Sequence, residues 1–123
     1  MRADPVLALD HIQIAIPKGG EAKARAFWCD GLGLTEIDKP EALNGRGGLW
    51  LLLAGAELHL GVEENFSPAQ KAHPGFAVDD IDTTAAQIVA TGQSPRWNDM
   101  IKTRRRFFAE DPFGNRLEFL QKD

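Results

Sequence analysis

The sequence has a single cysteine, Cys29, so no disulfide can form within the chain, and a reducing cytoplasm is the expected compartment. No apolar run approaches the roughly 20 residues that a membrane helix needs. The longest, residues 49–56, is interrupted by Gly55 and followed by Glu57. The opening residues MRADPVLALD lack the apolar stretch and small-residue cleavage site of a secretory leader. Neither charge sign dominates: 14 Lys and Arg stand against 18 Asp and Glu, a net charge of −4. That balance argues against general nucleic-acid binding. The basic run KTRRR at 102–106 is local and reads as a solvated loop. A phosphate cradle is missing too, because Arg46-Gly47-Gly48 is followed by neither a P-loop Lys-Ser/Thr nor a GxGxxG pattern.

What is present describes one folded domain. The chain has 123 residues, 43% of them hydrophobic and 26% charged, enough to bury a core without staples. Residues 9–16 (LDHIQIAI) alternate as a half-buried strand does. A break at PKGG leads into helix formers at 21–30, stopped by Gly31 and Gly33. A short strand is expected near 34–37, a loop over 38–48, a strand over 49–54, and an alternating strand over 57–63. Residues 65–72 read as a linker. The order then repeats: a strand at 73–78, a helix capped by Asp79 or Asp80 and ended by Gly92, and strands near 95–98, 106–110 and 116–121. Module one thus spans about 6–64 and module two about 73–123, a duplicated supersecondary unit. The predicted class is α+β: two tandem βαβββ modules whose strands form a curved mixed sheet with a concave cavity.

The duplication can be followed residue by residue. His11 matches His73, Gly55 matches Gly114, Leu58 matches Leu117, and His59 matches Glu118. On each strand the polar member lies opposite the large apolar residues, so one face packs and the other carries His11, His59, His73 and Glu118. All three histidines of the chain fall in this set. A lone strand histidine is more often a core or surface residue than a ligand. Recurrence at matched positions points instead to a site. Three imidazoles and a carboxylate suit a borderline divalent metal such as zinc, nickel, iron or manganese. Glu57 shares the face of His59 and competes with it, as a ligand or as a base.

The segments LDHIQIAI, ARAFWCDGLGL, HPGFAVDDID and EDPFGNRLEFLQ resemble the repeated landmarks of the vicinal oxygen chelate superfamily, over nearly the whole chain. The resemblance implies metal ligands from the first and fourth strand of each module, here His11, His59, His73 and Glu118. It also implies a homodimer, in some members with each cavity built from both chains. The implied function is metal-dependent chemistry on a small molecule with vicinal oxygens, of isomerase, lyase, dioxygenase or transferase type. Its alternative is a drug-binding protein of the bleomycin-resistance type that performs no reaction. Enzymes similar to glyoxalase I carry a carboxylate where this chain has His59, so Glu57 and Glu118 become the catalytic candidates. Gln13, Arg106, Trp50 and Phe108 are the candidate substrate contacts, and Arg116 a supporting one. Cys29, beside Phe27 and Trp28, reads as an inert thiol.

Overall fold

The structure is a computed structural model that describes residues 4–123. Module one runs β1 (His11–Ile16), α1 (Glu21–Arg25), a π-helical turn (Ala26–Gly31), β2 (Glu36–Ile37), a 3-10 helix (Glu41–Arg46), β3 (Leu49–Leu53) and β4 (Ala56–Val62). Module two runs β5 (Gly75–Val78), α2 (Ile81–Ala90), β6 (Arg96–Asn98), β7 (Arg106–Glu110) and β8 (Arg116–Gln121). Each module makes a four-stranded sheet, ordered β1-β4-β3-β2 and β5-β8-β7-β6. In both, the first strand is parallel to the last and the hairpins are antiparallel. The α+β class and the tandem modules stand as read from sequence. The strands differ in forming one sheet per module, not one sheet through the chain.

The reason lies in where the apolar faces go. Ile16, Leu49, Leu51, Leu58 and Leu60 of the first sheet share one core with Phe107, Ala109, Leu117 and Phe119 of the second. The helical segments join them. Buried Trp28, from the π-helical turn, meets Phe76 of β5 edge-on at 5.8 Å. Ile81, Ala85 and Ile88 of α2 are buried in the same core. Asp80 starts that helix by accepting hydrogen bonds from the Asp82 and Thr83 amides. The modules approach so closely that a Cβ at Gly31 would lie 2.5 Å from Thr91 Cγ2, which leaves room there only for glycine. With both apolar faces turned to this core, the two polar faces point away from it.

Asp-Pro-Phe-Gly-Asn, the most specific stretch of the resemblance, clamps the modules through its two buried ends, Asp111 and Asn115. Asp111 Oδ1 accepts from the Phe113 and Asn115 amides, and Oδ2 accepts from Asn115 Nδ2. The same Nδ2 donates to Ala15 O of β1 at 2.8 Å. Burial pushes the Asp111 carboxyl up, against the pull of these hydrogen bonds. Asn115→Ala strips a donor from Asp111 Oδ2 and from the partly buried Ala15 O and is expected to cost about 2 kcal/mol, read as a lower urea midpoint with an unchanged slope.

Two strands are shorter than the alternation predicts. Pro74 has no N–H to donate, so β5 begins at Gly75 and His73 stands just before it. Pro74 O still accepts from Glu118 N at 3.1 Å, which keeps His73 beside β8. The second strand shrinks to Glu36–Ile37, because the π-helical turn runs on into Leu34 N bonding Trp28 O. Among the described residues no helix is long and apolar enough to cross a membrane.

Candidate metal and ligand site

Register makes the two polar faces equivalent. On the first, Gln13 and Trp50 flank His59, and His11 pairs with Glu57. On the second, Gly75 and Phe108 flank Glu118. His59 and Glu118 therefore hold the same place in their sheets, as do Trp50 and Phe108. Each face carries half of the predicted set. Among the described residues no three His, Cys, Asp or Glu side chains gather closely enough to hold a metal. The four candidates do not converge within one chain, because both faces look outward from a shared core.

On the first face His59 is buried and lies between two rings. Trp50 stacks on it at 3.8 Å with the planes 4° apart, and His11 at 4.2 Å and 15°. Its Nε2 lies 2.9 Å from Glu57 Oε1. His11 Nδ1 lies 2.7 Å from Asp10 Oδ1, which only accepts, so Nδ1 carries the proton and Nε2 keeps its lone pair. Gln13 lies over Gly61, its Cδ 2.9 Å from where a Cβ there would stand.

On the second face His73 Nδ1 donates to Lys71 O at 2.9 Å, and Nε2 lies 3.0 Å from Glu118 Oε1. The other carboxylate oxygen, Oε2, accepts from Arg106 Nη1 at 2.8 Å. Arg106 Nη2 also donates to Asn98 Oδ1. Burial pushes the Glu118 carboxyl up, but the hydrogen bonds from Arg106 and His73 outweigh it and hold the group below the ordinary range. Phe108 lies under this group, edge-on to His73 at 5.6 Å, with Arg106 and Arg116 over its ring.

The His73–Glu118 pair bears on whether a metal fits. With Nδ1 donating to Lys71 O, Nε2 either carries a second proton and gives it to Glu118 Oε1 or offers its lone pair, and only in the second case does the 3.0 Å gap call for a cation. A ligating histidine also commonly gives its other N–H to a carboxylate or a carbonyl. His73 does so toward Lys71 O and His11 toward Asp10, so the donor set of each half fits a divalent ion.

Other sequence expectations fall differently. Arg106, read as a substrate contact, is engaged by Glu118 and Asn98. Trp50 serves as the stacking surface for His59. In the basic run, Arg104 bonds Gln121 O and Arg105 forks onto exposed Asp82. Burial pushes the Cys29 thiol up, and Glu36 and Asp30 add to that. Asp10 and Asn98 went unnoticed in the sequence. Adjacency to His11 was the available signal for the first, and nothing in the pattern marked the second.

The sequence profile of the glyoxalase/bleomycin resistance protein/dioxygenase superfamily matches residues 8–119. A crystal structure of a protein from Bacillus anthracis assigned to the glyoxalase family is 41% identical, over 100% of both chains, with a TM-score of 0.91. Lactoylglutathione lyase from Agrobacterium tumefaciens is similar in fold at 18% identity, covering 97% of this chain and 96% of that one, with a TM-score of 0.68. FosX, a fosfomycin resistance protein from Listeria monocytogenes, has 16% identity over the same shares and a TM-score of 0.76. No curated protein matches the chain.

Proposed function

The chain belongs to the glyoxalase/bleomycin resistance protein/dioxygenase superfamily, and within it we propose a divalent-metal-dependent enzyme acting on a small molecule with vicinal oxygens. The observation that carries this reading is the His73–Glu118 pair, whose Nε2 and Oε1 lie 3.0 Å apart, a spacing that two ligands of one ion share with a hydrogen bond. His11, His73 and Glu118 hold the ion, and the His59–Glu57 pair supplies the remaining position and the base. Nitrogen and oxygen donors of this kind suit zinc, nickel, iron or manganese. An ion held there would supply Lewis acidity toward a substrate oxygen. Since the half-sites of one chain look away from each other, the first face of one copy meets the second face of another in a homodimer. Exposed Leu9 and Leu52 beside Glu57 support such an interface.

The chain's own groups divide the work. Asp10 and Lys71 O fix the tautomers of the two histidines. Arg106 occupies one oxygen of Glu118 and leaves Oε1 for the ion. Trp50 and His11 hold the His59 ring in place, and His59 in turn holds Glu57 through Oε1. The second oxygen of Glu57 accepts the proton from the carbon beside the substrate oxygens. A lyase or isomerase outcome follows from that proton transfer. One observation favours the alternative of a drug-binding protein without chemistry: Arg106 already neutralises Glu118.

Elemental analysis of untagged protein prepared without chelator tests this, with His73→Ala beside it. The expected result is about one equivalent of transition metal per chain in the parent and loss in the variant. A parent that stays metal-free after reconstitution with zinc, nickel, manganese and anaerobic iron(II) rules the metalloenzyme out in favour of the binding protein.

A further inference from the structure

Two arginines reach the second half-site, and only one is spent. Arg106 gives its guanidinium to Glu118 and Asn98. Arg116, on the same face of β8 as Glu118, has no ion pair among the described residues. Its charge lies over the Phe108 ring, 4.6 Å from the centroid, and its one hydrogen bond is a long 3.5 Å contact to Gln70 O. Glu110 is its cross-strand neighbour in register but makes no ion pair with it. The Phe108 face holds this cation weakly, and a carboxylate or phosphonate binds a guanidinium fork far better.

Arg116 also borders a cavity of about 430 Å³ that runs along β1 toward His73. Ile12, Ile14, Ala69 and Pro74 give it an apolar wall, and the Gln13 and His73 side chains belong to its lining. That size suits a small molecule. Glu63 also lines this cavity and makes no ion pair with Arg116, so the wall carries one charge of each sign, and the cation over Phe108 selects a ligand that is anionic at that end.

We infer that Arg116 anchors an anionic group of the substrate, so that the enzyme acts on a small acid carrying a carboxylate beyond its vicinal oxygens. The inference rests on the proposed metal site for the position of those oxygens. Arg106, by contrast, is a positioning residue for Glu118.

Calorimetric titration of malate and 2-hydroxybutanoate tests the assignment. Both present a 2-hydroxy carboxylate, and only malate has a second carboxylate. The titrations use the parent, Arg116→Gln and Arg116→Lys, each with and without zinc, and sizing chromatography follows the assembly state. The parent is expected to bind malate about tenfold more tightly than 2-hydroxybutanoate. Arg116→Gln should erase that preference while leaving 2-hydroxybutanoate within about twofold, and Arg116→Lys should retain part of it. The inference is overturned if neither acid binds the parent, if malate is not preferred, if the preference survives in Arg116→Gln, or if that variant changes assembly state. The zinc dependence shared by both acids reports on the metal site separately. Loss of that dependence with the preference intact sinks the metal reading and leaves Arg116 as an anion anchor.

Discussion

Replacing Glu118 by alanine is expected to abolish metal uptake and to cost the fold about 3 kcal/mol. The size follows from what is left behind. Arg106 is 17% exposed, its Nε is buried without a partner, and Glu118 is its only carboxylate contact among the described residues. Removing one member of a mostly buried pair strands the other charge, which is where the cost arises. Glu118→Gln keeps an oxygen for Arg106 and should lose less, about 1–2 kcal/mol, while still losing the metal. A paired Arg106→Met, Glu118→Met variant removes both charges and should regain most of the stability without regaining metal. Urea denaturation beside elemental analysis separates the two effects. Full metal occupancy in Glu118→Ala would remove this residue from the ligand set.

The second large effect lies in the core. Trp28→Ala is expected to destabilise the chain by about 4 kcal/mol, close to what a fold of this size can spare. Trp28 is 1% exposed, edge-on to Phe27 at 5.0 Å and to Phe76 of the other module at 5.8 Å. Truncation opens a cavity where the modules meet. Trp28 Nε1 is also buried without a hydrogen-bond partner. Trp28→Phe discards that orphaned donor and keeps much of the ring, so its expected loss is only about 1 kcal/mol. Equal losses in the two variants would place the stabilisation in the part of the indole that phenylalanine lacks and not in the six-membered ring the two share. Chemical denaturation followed by circular dichroism gives both numbers.

The duplication and its two faces were legible because alternation states which side of a strand is apolar, and nothing in module two breaks it except Pro74. The turn at 111–115 was legible from Asp, Pro and Gly alone, but its bond to Ala15 joins residues far apart in sequence. Strand period says nothing about where a face is aimed once it is covered. One sheet through the chain and a sheet per module give the same alternation, and the choice rests on how Trp28 and α2 fill the space between them. Ion pairing was hidden for a related reason. Arg104, Arg105, Arg106 and Arg116 look alike in sequence, and only the β7–β8 register puts Arg106 within reach of Glu118 and sets Arg116 over Phe108. The stacking of His59 between Trp50 and His11 likewise needs three strands in register.

The repeat copies a backbone without copying its charges. Glu57 and Arg116 stand at corresponding places in the two modules, one negative and one positive. A perfectly duplicated unit would assemble into a site that looks the same from either end. This one has a direction. A ligand whose acidic end seeks Arg116 must offer its opposite end to Glu57, and it cannot be turned around without meeting the wrong sign twice. In a dimer site built from both, the charge difference between the two modules is enough to fix which end of a ligand each one receives.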